Sequence, residues 1–284
     1  MLSVVIPARN AEGWLSEQLE ALADQEVDQG WEVILADNGS SDGTVAVFDS
    51  FSPRLPGARV VDASIVRGQA YARNVGAKSA RGDLLVFLDA DDIVEPGYLA
   101  AMAARLAEGA LVTARLDRDA LNPLAERDVS QQQIEGRVEK YLGFLPAGAG
   151  GALGVRRELF EQLGGFDVAM PPAEDIDFCW RAQLAGFEMA VAHGAVLRYR
   201  YRQTLLGLFR QAVNYGSIRP ALYRRYRDLG MPRRHGLSAV RFYAGLARRA
   251  VRIRKRSDLA ALIVLVGTRL GHLVGSVEYR VWYP

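Results

Sequence analysis

Three carboxylates fall within four positions at Asp89, Asp91 and Asp92, directly behind the apolar run 84–88. Like charges this close persist only where a cation or hydrogen-bond donors compensate them. Asp89 and Asp91, separated by Ala90 at a strand end, suit a hard divalent ion, Mg²⁺ or Mn²⁺, which takes carboxylate, water and phosphate oxygens. A solvated acidic turn is the plain alternative. A second acid pair, Glu174–Asp175, can supply a general base for a hydroxyl nucleophile; with Asp177 it equally fits the positive end of a helix dipole. In "ILADNGSSDGT" (34–44), Asp37 ends an apolar run and can accept hydrogen bonds from a base or ribose, while Asn38–Gly43 supply turn chemistry that an ordinary loop would also use. "RGQAYARNVG" (67–76) opens a helix whose terminal N–H groups can face an anion, with Arg67 or Arg73 as counter-charge. A surface helix with one inward Asn is the competing reading.

The elements that must position these groups are legible from periodicity. Short apolar runs at 2–6, 31–36, 59–62 and 84–88 alternate with helical patterns at 12–24, 43–51 and 68–80. Such alternation predicts a parallel sheet covered on both faces. Ligands of these sheets bind beyond the carboxyl ends of the strands, which gathers Pro7–Asn10, Asp37–Ser41 and Asp89–Asp92 on one rim. The stretch 115–150 is less periodic and runs into "GFLPAGAGGALG" (143–154), read as a flexible segment. "RRELFEQLGGFD" predicts a helix stopped by Gly164 and Gly165, and "PPAEDIDFCWRAQLAGFE" a proline loop, an acidic helix start and an end near Gly186.

The chain has 284 residues, 50% of them hydrophobic and 24% charged, enough for one large domain or for one domain with an appendage. A single cysteine, Cys179, excludes an intrachain disulfide framework and a cysteine-built metal site, and suits a reducing compartment. The opening residues read as a first strand, without the basic start of a signal peptide. Residues 1–195 carry 16 Lys/Arg against 30 Asp/Glu, a net of −14; residues 196–284 carry 19 against 3, a net of +16. A tail this basic expects an anionic partner. Six basic side chains crowd 247–256, and the apolar run 259–277 follows, interrupted by Arg269 and His272. A central Arg costs about 2.5–3.5 kcal/mol on insertion scales, so an interfacial anchor on anionic lipid suits 247–277 better than a span. A dimerisation or core helix is the alternative. No nucleic-acid module signature accompanies the charge, and nucleic acid is not an expected partner.

Taken in order, "SVVIPARNAEGWL", "VILADNGSSDGT", "ARNVGAKSARGDLLVFLDADD", "GVRRELFEQLGGFD" and "AEDIDFCWRAQLAGF" resemble family 2 glycosyltransferases of the GT-A-type fold. The resemblance spans roughly residues 1–200. It implies a catalytic domain over 1–202, with a nucleotide-sugar half over about 1–115 and an acceptor half over about 116–202, and a basic helical extension over 203–284. The implied reaction is inverting, metal-dependent transfer of one sugar from a nucleoside-diphosphate sugar, UDP being the expected nucleotide, to an acceptor hydroxyl on a lipid-linked or cell-envelope glycan. The single cysteine and the basic, apolar segment 247–277 lead to the expectation of a cytoplasmic protein held peripherally on the inner membrane face. By the same resemblance Pro7, Ala8 and Asn10 line the base and Asp37 holds base or ribose. Arg67 and Arg73 lie on the nucleotide side, and Asp89 and Ala90 border ribose and metal. Asp91 is the direct ligand of Mn²⁺ or Mg²⁺, and Asp92 a helix-start acid. Asp175 is the catalytic base, Glu174 faces acceptor hydroxyls, and Gly150 and Gly151 border the acceptor. The family's further metal-ligating His has two candidates for its place: His193 falls early, with a structural role as the alternative, and Arg198 stands nearer the expected position. Arg198, Arg200 and Arg202 offer direct neutralisation of the diphosphate instead. "RQAVNYG" (210–216) lacks the Gln-x-x-Arg-Trp signature of processive synthases. Rival readings are a nucleotidyltransferase on a similar sheet, an aspartyl-phosphate phosphatase, whose motif belongs on a first strand, and a sugar-nucleotide-binding protein without catalysis.

Overall fold

The computed structural model describes residues 1–122, 140–170, 172–233, 245, 246 and 253–283. Its elements run β1 (Leu2–Ala8), α1 (Leu15–Ala23), β2 (Trp31–Asp37), α2 (Thr44–Phe51), β3 (Arg59–Asp62), α3 (Gln69–Ser79), β4 (Leu84–Leu88), β5 (Ile93–Val94), α4 (Tyr98–Glu108), β6 (Leu111–Asp117), β7 (Lys140–Tyr141), β8 (Leu145–Pro146), β9 (Ala152–Arg156), α5 (Arg157–Gln162), α6 (Glu174–Leu184), β10 (Met189–Arg198), α7 (Leu205–Tyr226) and α8 (Arg256–Glu278). The main sheet has the order β3-β2-β1-β4-β9-β6-β10-β5. The β1–β4 strands pair in parallel, as the sequence predicts, and β6 pairs in parallel with β10. β9 runs antiparallel between β4 and β6.

That antiparallel strand corrects the reading of 143–154 as flexible. Ala152, Leu153, Gly154 and Val155 are buried at the middle of the sheet. Composition concealed this, because a centre strand flanked by α4 gains from small residues: a Cβ on Gly154 would meet Met102 Cε at 2.8 Å.

Strand alternation sorts the core into two layers. Leu2, Val4, Ile6, Val86 and Leu88 face α1 and α4, whereas Val5, Ile34, Leu85 and Phe87 face α3, α5 and α6. On the second face Phe87, Phe160, Phe166 and Phe178 stack at centroid distances of 5.0–5.4 Å. Such edge and offset pairs add to the burial of each ring. At the amino ends of the strands lies one closed polar network. Glu32 Oε1 accepts from Ser3 Oγ at 2.7 Å and from the Arg81 N–H at 2.6 Å, and Oε2 from Arg59 Nη1 at 2.6 Å. Burial opposes the charge on Glu32, but these donors hold its pKa down to about 2.

The chain divides into two compact units, Met1–Asp117 with Gln133–Glu139 and Pro146–Tyr199, and Arg118–Gln132 with Lys140–Leu145 and Arg200–Pro284. In the second, α7 and α8 approach closely at glycine: a Cβ on Gly271 would sit 2.2 Å from Val213 O, and one on Gly275 1.9 Å from Ser217 O. His272, one of the two interruptions of the apolar run, is buried, with Nε2 3.3 Å from Arg219 Nη1. Leu270, Leu273, Val274 and Val277 remain exposed on α8. Among the described residues α8 alone is long and apolar enough to cross a membrane, with a mean hydropathy of 1.6 over a window that is 33% buried. Within the basic stretch 247–256, residues 247–252 lie outside the described residues.

Candidate active site

The acidic turn after β4 is braced from α1. Gln18, fully buried, donates from Nε2 to the Asp89 carbonyl at 3.4 Å and accepts the Val94 N–H at Oε1 at 3.0 Å. The turn between those two contacts is thereby held, and one ligand atom each of Asp89, Asp91 and Asp92 lies within 4.8 Å of the others. Three hard oxygen donors at that spacing fit a divalent ion with positions left for water or phosphate. Asp92 is 1% exposed. Burial, and then the charge of Asp92, raise the pKa of the neighbouring Tyr98 phenol.

Arg73 ties this turn to the second acid pair. It lies on α3, 2% exposed, with Nη2 2.7 Å from Asp89 Oδ1 and Nη1 2.9 Å from Glu174 Oε1. Its guanidinium carbon lies 5.7 Å from the centroid of the Phe166 ring. Desolvation works against the guanidinium charge, but Asp89, Glu174 and Asp175 more than offset it and raise its pKa. Next along α3, Asn74 donates to Phe166 O at 2.8 Å and accepts the Phe166 N–H at 2.9 Å. Adjacent residues of "ARN" thus clamp two segments that are remote in sequence.

Asp175, in the first turn of α6, accepts the Gly150 N–H at Oδ2 and the Ile176 N–H at Oδ1, both at 2.7 Å. Burial and the neighbouring Glu174 push its pKa up to about 7, against the pull of Arg73 and the two backbone donors. The side chain is deeply placed yet retains some accessible surface. Glu174, expected to face acceptor hydroxyls, is instead 3% exposed and turned to Arg73. Gly150 and Gly151 have a steric reason: a Cβ at Gly150 would meet Arg73 Nη1 at 2.6 Å, and one at Gly151 would meet Asp89 Cγ at 2.6 Å. Asp177, the third acid of this turn, pairs with Arg181 at 2.7 Å, and Arg181 donates to Leu163 O and Gly165 O.

The other rim loops are laced to each other. Pro7 and Ala8 are buried at the end of β1, in register with Ala36 and Asp37. Asn10, at φ 51°, accepts the Ser41 N–H at 2.8 Å, and Glu12 accepts the Gly43 N–H at 3.0 Å. Asp37 receives the Ser40 N–H at 3.2 Å. Asn38, buried, donates to Ala63 O and to Val66 O and accepts the Gly68 N–H at 2.9 Å. It therefore shapes the loop that presents Arg67, which is exposed.

His193 and Arg198 both fall on β10. His193 is exposed where the β6–β10 register shifts, and with Gly194 it lines a hollow shared with Ala101, Arg105 and Glu108. It is not among the carboxylates close enough to share an ion. Arg198 reaches the rim, opposite Ile93 in the β5–β10 ladder, and is paired with Glu95. Arg200 opens the second unit. Gln18, Asn38 and the bridging role of Arg73 are what sequence reading missed. Each acts across 16–101 residues, and the motif letters "ARN" were a local sign for Arg73 alone.

The model of glycosyl transferase family 2 matches residues 3–164, and that of glycosyl transferase family group 2 matches residues 84–266. The chain is 26% identical over 242 residues to the pre-mycofactocin glycosyltransferase of Mycobacterium tuberculosis, covering 81% of this chain and 49% of that protein. It thus spans about half the length of that curated relative. Its fold is similar to the mannosyltransferase PcManGT from Pyrobaculum calidifontis, solved with GDP-Man and Mn²⁺, at a TM-score of 0.67 and 20% identity over 96% of this chain and 86% of the other. It is also similar to S. aureus TarS 1–349 with UDP-GlcNAc, at a TM-score of 0.55 and 17% identity over 100% and 93% of the two chains.

Proposed function

The chain belongs to glycosyl transferase family 2, and on that premise we propose that it moves one sugar from a nucleoside-diphosphate sugar to an acceptor hydroxyl with inversion. The observation that carries the reading is the placement of Asp175, a partly exposed carboxylate at the start of α6 that accepts the Gly150 and Ile176 N–H groups and is joined through Glu174 and Arg73 to the acidic turn. Burial and Glu174 raise its pKa, which moves it toward working pH, as a general base requires. Asp175 takes the acceptor O–H proton as that oxygen attacks the anomeric carbon. The bond from that carbon to the diphosphate oxygen breaks, releasing nucleoside diphosphate. Asp91 and Asp89, with Asp92 beside them, would hold Mn²⁺ or Mg²⁺, which when bound supplies positive charge to the departing diphosphate. Pro7, Ala8, Asn10, Asp37 and Arg67 border the nucleotide, UDP being the one proposed, and Arg198 stands at the diphosphate edge. Gly150 and Gly151 border the acceptor. The acceptor is a lipid-linked or envelope glycan, reached at an anionic membrane surface through 247–277; the surplus of basic residues beyond 196 supports that reading.

The test is thermal stabilisation by UDP, GDP, dTDP and CDP, with Mn²⁺ and with EDTA, for wild type and Asp91→Ala. Ligand at a hundredfold excess over Kd adds about 2.7 kcal/mol to apparent stability. One nucleotide shifts the wild type, and the shift disappears with EDTA and in the variant. No shift with any of the four sinks the donor site, and pyrophosphate in place of nucleoside diphosphate as the released product makes the protein a nucleotidyltransferase.

A further inference from the structure

We propose that Arg73 and Glu174 form a positioning relay, in which one buried guanidinium is divided between the donor-side carboxylate Asp89 and the acid pair at the start of α6. The inference rests on the transferase reading above. It departs from it in one respect, because Glu174 then acts on donor binding and not on the acceptor.

The geometry makes the case. Glu174 is 3% exposed, its Oε1 lies 2.9 Å from Arg73, and its Oε2 is buried without a hydrogen-bond partner. A carboxylate so enclosed does not present itself to a substrate hydroxyl. Arg73 is enclosed: Asp89 and Glu174 engage its two terminal nitrogens, the Phe166 ring lies 5.7 Å from its guanidinium carbon, Gly150 passes where a Cβ would collide with it, and its Nε is buried without a hydrogen-bond partner among the described residues. Asp89, by contrast, keeps 20% of its side chain exposed and takes Arg73 on Oδ1 alone. Its Oδ2 lies 2.7 Å from the position of a Cβ on Gly151, and one of its oxygens lies within 4.8 Å of ligand atoms of Asp91 and Asp92.

A planar fork holds two carboxylates at fixed angles, whereas an ammonium offers three rotatable donors and fixes no such plane. With both partners charged, Arg73 orients Asp89 without claiming it entirely. If Glu174 loses its charge, Asp89 becomes the one charged hydrogen-bond partner of the guanidinium among the described residues, and the stronger pull on it then competes with a cation there. Glu174, 101 residues from Arg73 in sequence, thereby sets through it the affinity of the metal–nucleotide site.

The experiment is calorimetric titration with Mn²⁺ plus UDP, GDP, dTDP or CDP, using the nucleotide that wild type binds. The proteins are wild type, Glu174→Gln, Arg73→Lys and the double variant, with acceptor KM and melting temperature measured alongside. Outer-shell partners of a metal site typically cost 10–100-fold when removed. We expect Glu174→Gln to weaken metal-dependent nucleotide binding roughly tenfold with acceptor KM unchanged, and Arg73→Lys to do at least as much. The double variant should bind no more weakly than Arg73→Lys alone, since the relay is already cut. Unchanged nucleotide affinity in Glu174→Gln with a raised acceptor KM overturns the relay while the transferase reading stands. Additive losses in the double variant overturn it too, as does a fall in melting temperature that accounts for the whole effect. Failure of wild type to bind any of the four nucleotides overturns the transferase reading and the relay with it.

Discussion

The two ends of the main sheet each bury a carboxylate beside an arginine, and they do so with opposite results. At the amino ends, Glu32 collects Arg59, the Arg81 N–H and the Ser3 hydroxyl, and its pKa falls to about 2. At the carboxyl ends, one guanidinium serves Asp89 and Glu174, and the neighbouring Asp175 rises to about 7. The difference lies in the ratio of donors to acids. Glu32 has more donors than charge to satisfy. At the rim one guanidinium is divided between Asp89 and Glu174, and burial with the charge of Glu174 disfavours the ionised form of Asp175. Carboxyls held in that state are ones a ligand or a proton can tune.

The sharpest way to break this comparison is to remove the charge at each end. Asp175→Asn should lower kcat by about 10²–10⁴, the usual worth of a general base, with nucleotide affinity retained. In the wild type the rate should fall as pH drops below about 7, because Asp175 is then protonated. Folding has the reverse sign. A carboxyl whose folded pKa lies above its unfolded value loses stability as pH rises from about 4 to about 7. At pH 8 the variant should therefore melt no lower than wild type. A pH profile with no limb near 7, or a marked loss of melting temperature, would make Asp175 another Glu32.

Glu32→Gln should do the opposite, with no effect on turnover. A folded pKa of about 2 lies below the ordinary 4.5, so the stabilisation is present above about pH 4.5 and is lost as pH falls toward 2. That depression is worth up to about 3 kcal/mol at neutral pH. Denaturant titrations of the two proteins should differ by an amount of this order at pH 7 and converge near pH 2. A constant offset across that range would assign the loss to packing.

The amino-terminal half of the fold was legible because local signals agreed. The runs at 2–6, 31–36, 59–62 and 84–88 became β1–β4 within two residues at each end, and the polar residues after them share a rim. β9 escaped because glycines 150, 151 and 154 read as a loop, although each is a place where a side chain would strike Arg73, Asp89 or Met102. The acids themselves could be found from spacing. Their division into exposed and enclosed could not, since Glu174 and Asp175 are adjacent letters whose environments differ only through Arg73 and Gly150. His193 misled for a related reason: a strand position says which ladder a residue joins, but the register shift between Ala192 and Val196 decides where it points.

The smallest perturbation that sharpens the comparison is one methyl group at each end. A Cβ at Gly82 would lie 2.7 Å from Ser3 Oγ and 2.5 Å from the Met1 carbonyl, pressing on the network around Glu32. A Cβ at Gly151 would lie 2.6 Å from Asp89 Cγ, pressing on the acidic turn. Overpacking of this kind costs about 1–3 kcal/mol, so both alanine variants should fold. If the ends differ as argued, the same cost appears in different measurements. Gly82→Ala should melt lower and bind nucleotide with Mn²⁺ as wild type does. Gly151→Ala should lose about tenfold in that affinity for a displacement worth about 1.4 kcal/mol, because the carboxylate that moves is one meant to meet a ligand. Equal effects of the two variants on both measurements would show that the acid cluster at the carboxyl rim is a structural feature like the other.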